Sequence, residues 1–509
     1  MLQRLISSHK PVSYRVGMWL SVIVLLACAW SPCQAESPYL IDVWTPYQGL
    51  PQSRVTSIVQ TQDGYLWIAT QRGWLARFDG IHFKPYSSDN TPALGSPEIQ
   101  KLFVDEAGVL WISDVDGRLV TYSKGAFKVR VENKANAPKR VVEWLGNHGG
   151  VSRFVTQSRA LLSVDSSVRY ENESNLTQSP DRQISQFCQD ADGAVWCVNG
   201  RRAVGRWVGG AFQSAPEAVS LGSVKVFGLY RGPTGGIWAA TDNGLWKLEN
   251  GLFSRVSLAL PQDKQQVFQL AANNDDSMWL RTLEGVCLVR GDRIIRSSSL
   301  PGIDAQPDYR AVEMYSDSSG GVWILKYGSG VWHVDVEGAV TVLSSQTGLP
   351  SDLVESWFED REKNIWLGTA SGLVRIRPRW FQIVDTKSSG PGSEVVSLCE
   401  DGGKGMWFGR DGGLTHWHDG VFENVPLPLI NKRFPISSVT VLPGAEAGEL
   451  WLGTVQNGAM LLRDGAIEHP SFITRDQPGA AIRVMRNDHE GGIWFGGEYG
   501  LFRWDGKIL

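Results

Sequence analysis

The sequence predicts an all-β protein, a β-propeller of four-stranded blades. Three observations carry that reading: a Trp recurring at a nearly constant interval, glycines at fixed offsets from it, and short strand-like runs between turn signals. The composition agrees. The 509-residue chain holds 56 Gly and 22 Trp, with 20% charged residues and a net charge of −4. Such a mix suits many short strands and tight turns. No block of basic residues is present, so a nucleic-acid partner is not expected.

The chain begins with a basic stretch (Arg4, Lys10, Arg15), an apolar run from Val16 to Trp30, and small residues before Ala35. This reads as a secretory leader, residues 1–35, cleaved between Ala35 and Glu36. The alternative is a lipidated Cys28 in "LLAC". The remainder is expected to be exported and periplasmic, and no later run is long and apolar enough to span a bilayer.

The repeat follows. Trp67, Trp111, Trp196, Trp238, Trp279, Trp323, Trp366, Trp407, Trp451 and Trp494 occupy the same slot, and Arg153 fills it midway through the one double gap. That gives eleven units, 41 to 44 residues apart. Periods in this range mark repeat architectures, and helical repeats of similar period need 3.6-residue apolar patterns that are absent here. A Gly three residues before the slot, as at Gly64 and Gly193, supplies the positive φ of a tight turn. An Asp six before it (Asp105, Asp190, Asp317, Asp360, Asp401, Asp488) can accept from turn amides. Four short strands per unit make a propeller blade, with the Trp filling the wedge between neighbours. Seven units are expected to close a first ring over 36–345, leaving about four blades of a second ring over 346–509. The segment Tyr39–Trp44 is expected to complete a blade that begins elsewhere and so remove an open edge.

The phrases "GLPQSRVTSIVQTQDGYLWIATQRGWLARFDGIHF" and "GLPSDLVESWFEDREKNIWLGTASGLVRIRPRWF" resemble the two-component regulator propeller repeat. The resemblance spans nearly all of 39–509. It implies the extracytoplasmic sensor region of a bacterial sensor or hybrid histidine kinase, with oligosaccharides among the ligands of relatives. It also implies fourteen units in two seven-bladed rings, a membrane-linked region through which a homodimer would form, and a cytoplasmic enzyme. Eleven units and no recognisable output domain lead to the expectation of a piece of a longer product, with a stand-alone propeller as the alternative.

Chemistry-bearing motifs are sparse. "DGGKG" at Asp401 lacks the phosphate-loop spacing, and no nucleophile elbow or zinc-protease motif occurs. His416 and His418 lie two apart on a strand, without an identifiable third ligand, and read as ordinary strand residues. "NES" at Asn172 and "NLT" at Asn175 are incidental. No catalytic residues, cofactor or metal are expected, and the chain reads as a binding module. The alternatives are an exported lyase or glycosidase-like propeller and a protein-interaction platform.

If strands run from the axis outward, the second-to-third connections share one face with the segments leading into each first strand. Arg72, Trp74, Arg118, Arg202 and Tyr327 sit in those connections and are the candidate ligand-binding residues. Aromatic faces can stack on sugars and guanidinium forks can take carboxylates. Asp114, Asp116, Asp242 and Glu284 share the loops, so the mouth is of mixed charge. Finally, a two-residue turn at Asp192-Gly193 would place Cys188 opposite Cys197, about 4.5 or 5.5 Å apart. A disulfide tolerates that separation. The alternative is a pair of buried thiols, and Cys287 and Cys399 are expected to be free.

Overall fold

The computed structural model describes residues 38–505 apart from internal stretches, the longest being 133–140, 172–183, 301–311, 380–393, 428–435, 441–449 and 469–480. The expected leader over residues 1–35, with Cys28, and Asn172, Asn175 and Arg202 lie outside the described residues. Within them the regular elements are short strands and three-residue 3-10 turns. No helix there is long and apolar enough to cross a membrane.

The strands form eleven antiparallel sheets, ten of four strands and one of three, so each sequence unit is one blade. That includes the unit with Arg153 in the Trp slot, whose second strand is Val151–Thr156. The chain divides into two compact units, 1–379 and 380–509. In the first, blades 1 to 7 span 55–86, 99–131, 141–171, 184–214, 226–256, 267–298 and 312–343. Blade 8 comprises Val354–Glu359, Ile365–Thr369 and Gly372–Pro378, and takes its outer strand from Tyr39–Trp44. The pairing is antiparallel over six residues, from Tyr39 opposite Pro378 to Trp44 opposite Leu373.

This corrects the expected division. The ring closes after eight blades and not seven, and the boundary falls at 379/380 instead of 345/346. The second unit contributes three blades, at 395–425, 436–468 and 482–504, where about four were expected. The physical reason lies in the N-terminal strand. It pairs with the third strand of the eighth unit, so the unit expected to open a second ring completes the first.

Neighbouring blades approach through their first strands, which are therefore innermost; blade 8 meets blade 1 in the same way, and blade 7 meets blade 8 through the Trp323 cluster. Every junction except that after blade 3, where Arg153 stands in the slot, buries the Trp of one blade against the first and second strands of the next. Trp67 packs with Leu102 and Ile112, and Trp366 of blade 8 with Ile58 and Ile68 of blade 1. Trp44, Trp366 and Phe78 meet at ring-centre distances of 5.4 and 5.3 Å from Trp44. Such aromatic pairs add about 0.5–1.5 kcal/mol each beyond area burial.

The Asp of the repeat has two jobs. In blade 2 one oxygen of Asp105 accepts from Val109 N at 2.9 Å and the other from Trp111 Nε1 at 2.8 Å. Asp190, Asp317 and Asp360 do the same for Trp196, Trp323 and Trp366, and in blade 1 the hydroxyl of Thr61 takes the indole of Trp67. One carboxylate thus ties a turn to the Trp that wedges the blades, in charge-assisted bonds of about 1.5–3 kcal/mol each. Arg153 replaces the indole by donating to Gly193 O of the next blade, as Trp279 Nε1 donates to Gly320 O.

That turn also overturns the cysteine expectation. Asp190 N bonds Ala194 O, and Asp190 Oδ1 accepts from Asp192 N and Ala194 N, which makes a longer turn than a two-residue hairpin. The register moves by one: Cys188 opposes Trp196 and Cys197 opposes Phe187. A one-residue shift sends the two side chains to opposite faces. Cys188 packs with Leu229 and Ile237, and Cys197 with Val155 and Leu161. Both are free thiols, as are Cys287 and Cys399, and burial pushes each up to about 12. Alkylation of the denatured, non-reduced 36–509 protein should therefore count four thiols by mass spectrometry; a count of two would restore the bridge.

Candidate functional site at the ring mouth

Two kinds of connection meet on one face of the eight-bladed ring. The turns after the second strands bond to the segments leading into the first strands: Gln71 N to Arg54 O at 3.0 Å, Val115 N to Glu98 O at 3.0 Å, Asp242 N to Lys225 O at 3.0 Å, and Ala370 N to Leu353 O at 2.9 Å. These turns have their own cap, a Thr hydroxyl bonded to a carbonyl across the turn, as from Thr70 to Trp74 O and Thr369 to Gly372 O.

At this end most first strands carry an extra, bulged residue. Register shifts fall at Thr56, Gln100, Val142, Ser185, Phe227, Phe268 and Glu355, whereas blade 7 has none. Bulges bend a strand and re-aim its side chains, and they gather at rims and sites. The residue after the bulge ties its strand to the next blade. Ser57 Oγ accepts from Leu102 N at 3.1 Å, and Gln186 exchanges two bonds with Leu229. In blade 5 that place is Gly228, whose missing side chain leaves room for the hydroxyl of Tyr230, which bonds the backbone of Leu270.

The sequence-predicted residues part company here. Arg72 is exposed in a left-handed turn (φ 75°), beside Gln71. Tyr327 is 59% exposed and interacts with Arg54, whose Nε donates to Glu355 Oε1 at 2.7 Å. Blades 7, 8 and 1 thereby bring Tyr327, Glu355 and Arg54 together. Trp74 is half-buried in the same turn as Arg72. Arg118 is occupied elsewhere: it donates to Glu132 at 2.9 Å and Ala93 O at 3.2 Å, lying against Gly95. Arg54 and Glu355 were missed because one lies in a lead-in segment and the other on a bulge that two-residue alternation does not foresee.

His416 serves its blade. It stacks on Trp407 at 4.0 Å and its Nε2 lies 2.9 Å from Asp401 Oδ2, repeating His333 on Trp323 and Asp317. No group of three or more candidate metal ligands exists among the described residues.

Residues 49–72 match the family model described as two component regulator propeller. The match covers one unit of the repeat, in blade 1. The matched stretch runs from the lead-in segment holding Arg54 through the first hairpin of blade 1 to Arg72, so it contains both the Trp67 wedge and part of the mouth. Among solved structures, the extracellular domain of a B. thetaiotaomicron protein assigned as a hybrid two component system is similar at 20% identity and TM-score 0.47, covering 92% of this chain and 59% of that one. A second B. thetaiotaomicron extracellular domain, assigned to a one component system, is similar at 16% and 0.41, covering 91% and 58%. The virginiamycin B lyase of Staphylococcus aureus, in an inactive form with quinupristin, is similar at 12% and 0.41, covering 66% and 99%. The chain thus spans under two thirds of the length of the first two. No curated protein matches it.

One mouth residue departs from the Thr cap. Asp114 replaces Thr in blade 2, is 4% exposed, and accepts from Asp116 N at 3.0 Å and Arg118 N at 2.8 Å through Oδ1. Its Oδ2 is buried without a partner. Burial raises its pKa from 3.8 to about 6, against the opposing pull of the Arg118 amide. The folded state therefore binds the proton more tightly than the unfolded chain, and this group's stabilising effect declines as pH rises from about 4 to about 6. Asp114→Asn keeps the amide acceptor without the charge. It should raise the melting temperature at pH 7.5 and lose that advantage at pH 4; an equal difference at both pH values would refute the buried charge as the cause.

Proposed function

We propose that this chain is the extracytoplasmic, ligand-sensing propeller region of a bacterial two component signalling protein, and that it recognises a polar ligand such as an oligosaccharide at the mouth of the eight-bladed ring. The match of residues 49–72 to the two component regulator propeller carries the reading. The reading of residues 1–35 as an export leader supports it, as does the chemistry of the mouth, where guanidinium, carboxylate, phenol and indole groups stand on a hydrogen-bonded rim. A ring whose blades are hydrogen-bonded to their neighbours would respond to a ligand by a shift between arrangements, which an attached membrane region would read. On this reading the chain binds and does not catalyse.

The test is glycan-array screening of exported 36–509 protein, followed by calorimetry. At least one polar oligosaccharide should bind, and Arg72→Ala and Trp74→Ala should each weaken it about tenfold or more. Binding untouched by both changes would move the site away from this turn, and no binding to any glycan would remove the oligosaccharide.

A further inference from the structure

The wall between blades 5, 6 and 7 holds a charge that the fold does not use. Arg281 lies two residues after Trp279, at the mouth end of the second strand of blade 6. In other blades this position is small or apolar, as at Ala69, Val155 and Leu325. Arg281 is 5% exposed and its Nη1 has no hydrogen-bond partner. No ion pair to it is found among the described residues, and desolvation depresses its pKa, with Tyr230 the one group that opposes this.

Its cross-strand neighbour is Gln269. The Gln269 amide nitrogen donates to Val312 O at 2.5 Å, but its Oε1 is buried without a partner. An unused donor and an unused acceptor therefore lie side by side. The guanidinium carbon stands 5.7 Å from the centre of the Phe268 ring, Phe268 stands 5.1 Å from Phe227, and Lys225 Nζ stands 5.1 Å from Phe227. Phe268 and Phe227 are bulged residues of the inner strands. Together they form a row at the mouth end of blades 5 and 6, with a cation at each end and two aromatic rings between, Phe268 buried and Phe227 half-buried.

A buried guanidinium without a counterion is strongly unfavourable, and hydrophobic replacements of such groups are commonly neutral or stabilising. A carboxylate would satisfy the fork in two bonds. The apolar face of a sugar ring would rest on Phe227, which is half-buried, with Phe268 packed behind it. We propose that Arg281 and Phe227, backed by Gln269 and Phe268, form a subsite for the uronate unit of an acidic saccharide, with Arg281 taking the carboxylate. This rests on the ligand-sensing reading and specifies the class of ligand.

The experiment compares 36–509 protein with its Arg281→Leu variant, using a galacturonate trisaccharide and the neutral galactose trisaccharide at constant ionic strength. Leu already occupies this position in blade 7 as Leu325, so the variant is expected to fold. The acidic trisaccharide should bind the wild type and raise its melting temperature, with at least tenfold preference over the neutral one. Arg281→Leu should lose that preference while melting, without ligand, at or above the wild-type temperature. Equal binding of the acidic trisaccharide by both proteins overturns the subsite, and a lower ligand-free melting temperature would show Arg281 to be a structural brace. Binding of the neutral trisaccharide alone, independent of Arg281, overturns the subsite and leaves the sensing reading intact; binding of neither counts against both.

Discussion

The pairing of Tyr39–Trp44 with Gly372–Pro378 is the constraint on which the first unit depends. A propeller blade is apolar on both faces, so a row of blades is satisfied only when it returns to its start. Here the first strand of the described chain becomes the outermost strand of the last blade, and the same segment then leads inward to the first strand of blade 1. Closure is fastened several times over. Asp42 bonds Arg375 at 3.0 Å, and Arg375 also lies over Trp44 and Trp366. Tyr39 reaches the preceding blade, with its hydroxyl 2.6 Å from His333 Nδ1, while His333 Nε2 meets Asp317. The contrast with the second unit shows what closure achieves. Ile58 is 4% exposed and Trp67 is fully buried, whereas their equivalents at the ends of the three-blade unit, Leu398 and Trp494, are 59% and 39% exposed.

Within the ring, two small capping devices recur, each in several blades. At one end an Asp carboxylate holds the turn and the indole together, and at the other a Thr hydroxyl holds the turn of the mouth. Because turn, Trp and inner strand are joined by hydrogen bonds, a change in one junction cannot be absorbed locally. Blade 5 shows the limit. Gly232 stands where the Asp would be, the Trp238 ring occupies the vacated space, and Trp238 Nε1 is left buried without an acceptor. The departures at the mouth, Asp114 in a Thr position and Arg281 in an apolar one, also leave buried polar atoms without partners, each at the mouth end of its blade's second strand.

Much of the fold was legible because its signals are local. The Trp interval counted the blades, including the one where Arg153 replaces the Trp, and alternation plus turn residues placed the strands. The N-terminal strand could be assigned a closing role because an outer edge must be covered. The ring size was not legible, since pairing between strands 333 residues apart leaves no trace in a repeat of about 43. The cysteine register failed for a local reason: a carboxylate that accepts from several amides lengthens the turn, and one residue reverses every side chain after it. At the mouth, Arg72 and Tyr327 could be reached by counting turns. Arg54, Glu355 and the Phe268–Arg281 strip could not, because bulges and inter-blade neighbours decide them.

The central claim is that eight blades, fastened by the N-terminal strand, make one closed unit ending at residue 379. Thermal unfolding of purified 36–379 and 36–345 proteins, followed by Trp fluorescence and calorimetry, tests it most directly. The account predicts a single cooperative transition for 36–379 and none for 36–345, which would lack the sheet that receives Tyr39–Trp44. Cooperative unfolding of 36–345 at the same or a higher temperature would contradict it.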